Sequence, residues 1–399
     1  MLTSAHIKNF RSCKDVKLDN LGHMVALVGR NGAGKTTILR ALEWVAEIAL
    51  ASDTFDRIDE VDLHNATTVS FAEIQFEALH LQYRFRFGPD PQSGEHSTDQ
   101  ESLSMRSTSD GAWQDIYLRI NEWVNFGDHR RPVELNRFTA AMPALSSFLP
   151  RSDPLQTHLR AVMDALQRVR YYPGQLVFYP ADAIDEEPSG PIAEEVYDRW
   201  AAANKFGPRR TSLLLRMIHA HARRPAVFAE IKQLMGPEGL ALLHDIRVVS
   251  IGDVEPLKSH SGRPHRYFDV RFSPPESSAE LSLDQLSGGT RHALYLLLGL
   301  LYDDNSTMLI EQPEDGIHPG LLTKLIDLLR VNADPAQIIL TSHSPVVLSS
   351  LQAADIRLVD IHDGSTTVRP LSPAELQRAQ DYMQRDGTLA EFLELIQEE

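Results

Sequence analysis

The chain has 399 residues, 42% hydrophobic and 24% charged, an ordinary globular balance with length for two or three domains. A formal net charge of −16 argues against a protein that coats DNA over its whole surface, and no apolar run is long enough to span a bilayer, so no membrane association is expected. Cys13 is the single cysteine, which excludes an internal disulfide and a cysteine-based zinc site. With no basic start and long apolar core at the N-terminus, the expectation is a cytoplasmic protein.

Residues 4–10 and 15–18 read as strands, and the apolar run 24–28 reads as a buried one. It leads into Gly29-Arg30-Asn31-Gly32-Ala33-Gly34-Lys35-Thr36-Thr37, which fits the P-loop pattern G-x-x-x-x-G-K-[ST], and then into a segment with helical spacing at 38–45. In that context the glycines let backbone N–H groups curl around nucleotide phosphates. Lys35 supplies a point charge to them, Thr36 supplies a hydroxyl to Mg²⁺, and the positive end of the helix completes the anion site.

Alternating runs at 69–77 and 79–87 predict a β-hairpin or meander, and 88–110, rich in Pro, Ser, Asp and Gly, predicts an exposed loop. From 154 to 235 the pattern is helical, with breaks at 172–174, 188–191 and 207–208. Strands return at 240–272, interrupted by a polar loop at 259–262. From 281 helix and strand alternate to about 368, and two short amphipathic helices follow, the second at 389–396. Basic clusters at 129–131, 168–170, 209–210 and 223–224 read as solvated faces, and whether they converge in space is open. His219 and His221, two apart on a helix, point to different faces, so no metal site besides Mg²⁺ is expected.

Four features complete the nucleotide pattern in order. Leu286-Ser287-Gly288-Gly289-Thr290-Arg291 opens an apolar helix. Met308-Leu309-Ile310-Glu311-Gln312 is an apolar strand ending in an acid, a Walker B pattern in which Glu311 orients Mg²⁺ and its water. Gly316-Ile317-His318-Pro319 is a turn into the next helix. Finally, residues 338–345 deliver His343 at the carboxyl end of a buried strand, where ligands sit in open α/β sheets. After the other three motifs, His343 reads as a γ-phosphate sensor.

On these residues the chain resembles ABC-type ATPases of the SMC/RecF/OLD group. Ile7-Lys8-Asn9-Phe10-Arg11-Ser12 resembles that group's first strand, residues 29–37 its Walker A, 286–290 its signature, and Thr341-Ser342-His343-Ser344-Pro345 its switch histidine. The Pro313-Glu314 and His318-Pro319 pairs are more similar to the RecF/OLD branch than to transporter ATPases. The resemblance spans about 1–87 and 280–362. It implies an α/β fold: an ABC-type P-loop NTPase head with an N-terminal β subdomain and a mainly helical insertion. The expected parts are 1–125 (P-loop and β subdomain), 126–275 (insertion) and 276–399 (signature, Walker B, switch histidine and C-terminal helices).

The implied site comprises Arg30, Asn31, Gly32, Ala33, Gly34, Lys35, Thr36 and Thr37 for ATP, and Thr36 and Glu311 for Mg²⁺. Ser287, Gly288 and Gly289 would face ATP on a second subunit, and Gln312, Glu311 and His343 would form the catalytic set. Gln75, with Gln82 as the other choice, is the Q-loop candidate. Glu311 stands where an aspartate is usual. Gln312 stands where the group has a catalytic glutamate; its amide can hold a water but cannot take a proton at neutral pH. Hydrolysis is therefore expected to be deficient. Two explanations are open, a natural loss and an introduced Glu→Gln change, and the intactness of every other motif favours the second.

The chain closes soon after its last strand, so the TOPRIM nuclease domain of full OLD-type nucleases is not expected, and no stretch reads as the long coiled coil of SMC proteins. The resemblance thus implies an ATP-dependent switch in which two copies sandwich two ATP molecules. Such a switch would act on a separate effector such as a nuclease or toxin, in prokaryotic defence against phage or plasmid DNA. The alternative is a RecF-like repair accessory that binds DNA directly, and a transporter ATPase fits less well.

Overall fold

The computed structural model describes residues 1–51, 67–76, 79–89, 96–108, 111–128, 130–174, 190–203, 212–252, 266–332, 336–385 and 387–398. The predicted breaks at 207–208 and the polar loop at 259–262 lie outside the described residues, as do His129, Arg209 and Arg210. The chain divides into two compact units. The first comprises Met1–Tyr172, Ser306–Gln312 and Ala333–Glu399; the second comprises Pro173–Asn305 and Pro313–Asn332. This division cuts across the predicted 126–275 insertion, since 126–172 packs within the first unit.

In the first unit β1 (Leu2–Phe10) and β2 (Cys13–Leu18) form a hairpin, and β3 (Met24–Val28) leads to α1 (Lys35–Ile48). There follow β4 (Thr67–Phe76), β5 (Leu79–Pro89), β6 (His96–Arg106), β7 (Gln114–Ile120), β8 (Trp123–Phe126) and β9 (Val133–Glu134). Helices α2 (Ala141–Phe148) and α3 (Pro154–Gln167) then precede β10 (Val169–Tyr172). The second unit takes up β11 (Ile192–Ala193), α4 (Glu194–Ala203), α5 (Leu213–Arg223), α6 (Pro225–Met235), β12 (Asp245–Gly252), β13 (Arg266–Ser273) and α7 (Gly288–Leu301). The chain returns to the first unit for β14 (Thr307–Glu311), leaves it for α8 (Pro319–Val331), and re-enters with β15 (Gln337–Ser342) and α9 (Pro345–Ser349). It finishes there with β16 (Ile356–His362), β17 (Ser365–Pro370), α10 (Pro373–Arg385) and α11 (Leu389–Glu398).

Two sheets build the first unit. One is antiparallel, in the order β2-β1-β4-β5-β6-β7-β8-β9; the other runs β10-β14-β15-β3-β16-β17 and is parallel except for β17. All five residues of β3 are buried, as the middle strand of a covered parallel sheet requires, which explains its unbroken apolar run. Helix α1 joins both sheets to one core. Its Trp44 ring lies 5.8 Å from Phe10, 6.0 Å from Phe85 and 6.2 Å from Phe87 on the antiparallel sheet. Ile38, Leu42 and Val45 belong to the same core as Val25, Leu309 and Ile339 of the parallel sheet. The second unit has its own three-stranded antiparallel sheet, β11-β13-β12.

The predicted hairpin at 69–77 and 79–87 is β4 with β5, inside a longer meander. The predicted loop at 88–110 is corrected: β6 pairs with β5 and β7, and 90–95 and 109–110 lie outside the described residues. The cause is a buried polar cluster that a hydropathy pattern does not register. Glu101 and Arg119 are both fully buried, 3.8 Å apart. Tyr83 and Tyr117 hydroxyls donate to Glu101 Oε1 at 3.0 and 2.8 Å, and the Ala141 N–H donates to Oε2 at 2.6 Å. Arg119 donates to the carbonyls of Asn121, Asn136 and Thr139. Burial raises the Glu101 carboxyl above its usual range, against the pull of Arg119. A polar strand is thereby made part of a core because its charge is paired and hydrogen-bonded. The helical stretch from 154 is also interrupted, by the short strands β10 and β11.

Candidate nucleotide site

The P-loop joins the carboxyl end of β3 to the first turn of α1. Gly32 and Gly34 have φ of 80° and 101°, the left-handed region that glycine enters freely. Close packing also demands Gly34, because a Cβ there would lie 2.1 Å from Thr366 Oγ1. That hydroxyl donates to the Ala33 carbonyl at 3.0 Å and pins the back of the loop to β17. Gly34 is the N-cap of α1 and has no side chain to cap it, and the positive end of the helix faces the loop. Arg30, Asn31, Gly32 and Thr36 are exposed, Gly34 and Thr37 half-buried, and Ala33 and Lys35 buried. Lys35 Nζ donates to the carbonyls of Gly29 at 2.8 Å and Arg30 at 3.0 Å, so the ammonium lies inside its own loop.

Parallel register sets the rest. Glu311 of β14 is level with Thr341 of β15, and Ser342 is level with Val28 of β3, so three strands end at one edge beside the P-loop. There the Thr36 hydroxyl donates to Glu311 Oε1, and the Tyr171 hydroxyl donates to Glu311 Oε2. Burial, then the bond to Glu311, pushes the Tyr171 phenol above its ordinary range, so it remains a donor. The Arg40 guanidinium lies over the Tyr171 ring, 3.8 Å from its centre, and pairs with Glu43 at 2.9 Å. A hydroxyl and a carboxylate oxygen are hard donors of the kind Mg²⁺ takes, so Thr36 and Glu311 fit that ion.

Gln312 has a φ of 42°, unusual for a side chain of its size. Its N–H donates to the Thr341 carbonyl at 3.0 Å and lies 3.2 Å from Thr341 Oγ1, which fixes the turn leaving β14. Its Nε2 is 3.2 Å from His343 Nδ1. Glu311, Gln312 and His343 are thus gathered at the strand edge with Thr36.

The predicted signature residues lie in the second unit. Ser287 is the N-cap of α7; its Oγ accepts the Thr290 N–H at 3.2 Å and sits 2.8 Å from Thr290 Oγ1. A Cβ on Gly289 would meet the Gly316 carbonyl at 2.3 Å, so this glycine lets α7 close onto the turn that follows Gln312. Buried His292 holds the same turn, its Nδ1 3.0 Å from the Asp315 carbonyl oxygen. His318 caps α8, accepting the Gly320 N–H at 3.3 Å. These residues make the signature loop and the post-Walker B turn one packed piece.

Gln75 lies on β4 opposite His80, and its side chain is outside the described residues. Gln82 is a buried residue of β5. His219 sits in an aromatic cluster, 3.0 Å from the Tyr197 hydroxyl and 5.5 Å from the Trp200 ring. Of the predicted basic clusters, Arg130 pairs with Asp128 and Asp153, and Arg224 with Asp304. Tyr171 and Arg40 escaped sequence reading. A four-residue strand after a helix has no periodicity of its own, and only its pairing with β14 places Tyr171 beside Glu311. Among the described residues no helix is long and apolar enough to cross a membrane.

Two family profiles match the chain. Residues 1–117 match one described as "AAA ATPase domain", and residues 180–349 match one described as "AAA domain, putative AbiEii toxin, Type IV TA system". The chain is 25% identical over 373 residues to the OLD nuclease of Thermus scotoductus, an alignment covering 90% of this chain and 62% of that protein. An uncharacterized protein of Methanocaldococcus jannaschii is 48% identical over 42 residues, 10% of this chain and 19% of that one. Among solved structures, an SMC head bound to the C-winged helix domain of ScpA superposes with a TM-score of 0.50 at 15% identity, covering 94% of this chain and 98% of that one. Motif order and the profile matches at both ends of the chain support an SMC/RecF/OLD-like ABC-type ATPase, and the fold is that of an SMC head.

Proposed function

We propose that the chain binds ATP with Mg²⁺ at the P-loop and acts as a switch, pairing with a second copy around two nucleotides and controlling a separate effector protein. The observation that carries this reading is the bond from Thr36 to Glu311, which joins the end of Walker A to the end of Walker B. The AbiEii description of the matching profile and the nuclease among its relatives support an effector such as a toxin or nuclease, and a role in defence against invading DNA.

Each residue then has a task. Lys35 leaves the Gly29 and Arg30 carbonyls for the phosphates, and the amides at the start of α1 receive the phosphate oxygens. Thr36 and Glu311 hold Mg²⁺, which neutralises phosphate charge when bound. His343 faces the terminal phosphate. Gln312 can position a water through its carbonyl oxygen but takes no proton, so turnover is slow. Ser287, at the start of α7, meets the nucleotide held by the other copy.

The test is calorimetry of ATP with Mg²⁺ on the unaltered chain and on Lys35→Ala. Losing one charge-assisted contact of ~1.5–3 kcal/mol should weaken binding at least about tenfold. Equal affinities would remove the P-loop assignment.

A further inference from the structure

We infer that Tyr171 is a positioning residue that holds the Glu311 carboxylate in the orientation needed to bind Mg²⁺, an inference that rests on the proposed nucleotide site. A glutamate at 311 is one methylene longer than an aspartate would be, so it has an extra torsion to fix before it can serve as a ligand. Its two oxygens have different partners: Thr36 on Oε1 and Tyr171 on Oε2. A tyrosine filling core space has no need of this acceptor. Here the phenol reaches the one acid at the end of β14, on the oxygen that Thr36 does not use.

The contacts close into a ring. Tyr171 is level with Leu309, two residues before Glu311 on the neighbouring parallel strand, so its side chain runs forward to the strand edge. Arg40 covers its ring at 3.8 Å and is itself held by Glu43. Arg40 lies one helical turn beyond Thr36 on α1, so the helix that supplies the hydroxyl to Glu311 Oε1 also steadies the phenol on Oε2. The longer acid is thereby as constrained as a shorter one, and stays so when Thr36 gives up Oε1.

The experiment is ATP binding by calorimetry across a range of Mg²⁺ concentrations and in EDTA, with thermal unfolding to confirm folding. Tyr171→Phe should raise the Mg²⁺ concentration for half-maximal binding about tenfold, near the lower end for losing one hydrogen bond to a charged group. Binding in EDTA should stay within about twofold, because the phenol touches the acid and no phosphate contact. With Glu311→Asp also present the effect should fall below about twofold, since the acid is withdrawn by one C–C bond, about 1.5 Å. Arg40→Gln reaches the phenol from its other face and should give a metal-dependent rise of about threefold, which keeps the inference testable should Tyr171→Phe fold poorly. An unchanged Mg²⁺ requirement, or an equal loss with and without metal, overturns the role of Tyr171. Absence of ATP binding by the unaltered chain overturns the nucleotide site itself, a separate result.

Discussion

Gln312 and His343 meet across the strand edge, the amide Nε2 3.2 Å from the imidazole Nδ1. An amide can donate to Nδ1, which leaves the ring proton on Nε2. A carboxylate at 312 can only accept, and would draw a proton onto Nδ1. The residue at 312 thus sets both its own basicity and the tautomer of its neighbour. Its backbone is held independently by Thr341, so a change of side chain at 312 leaves the frame in place.

Ser287→Arg should abolish ATP-dependent association while sparing ATP binding. Ser287 caps α7 in the second unit, and losing that cap costs about 1 kcal/mol there. The P-loop belongs to the first unit, whereas Ser287 bonds to Thr290 within the second, so the affinity of the P-loop should stay within about threefold. Static light scattering with and without ATP reads the outcome. Unaltered ATP-induced association of Ser287→Arg would contradict a nucleotide site shared between copies.

The start of α10 carries an acid-sensitive contact. Arg369 donates to both Glu375 oxygens at 2.8 and 2.9 Å, and the Ser372 N–H donates to Glu375 at 2.7 Å in a capping box. These bonds, Arg369 first, lower the Glu375 carboxyl from 4.5 to about 2. A depressed carboxylate stabilises the fold above its unfolded value, and the contribution fades as pH falls from about 4.5 through about 2. Arg369 is 54% exposed, so screening holds the contribution to about 1 kcal/mol. Glu375→Gln should therefore destabilise at pH 7 by about that much, with the gap to the unaltered chain narrowing below pH 4.5 in urea melts. A gap that widens on acidification would contradict the assignment.

Much of the first unit was legible because its signals are local. The buried run of β3, the glycines of the P-loop and the apolar strand ending at Glu311 each carry their own pattern. The alternation of β4 and β5 was equally plain. Strand β6 was not, since Thr98, Glu101, Ser102 and Ser104 are buried polar residues, and the partners of Glu101 and Ser104 lie on β5, β7 and α2. Tyr171 was hidden for the same reason: its value comes from the strand it pairs with. Ser287 was readable as a helix cap, whereas the close approach of Gly289 to Gly316 follows only from the packing of α7.

The most direct measurement is phosphate release from the chain and from Gln312→Glu, with saturating ATP and Mg²⁺. A carboxylate on the same backbone, itself held by Thr341, adds a general base, an effect typically worth about 10²–10⁴-fold, so turnover should rise at least tens-fold. The gain should vanish with Lys35→Ala or His343→Ala, because a base helps only where phosphate and water are already positioned. Rates for the two chains that agree within about twofold would contradict the account, placing Gln312 away from the attacking water.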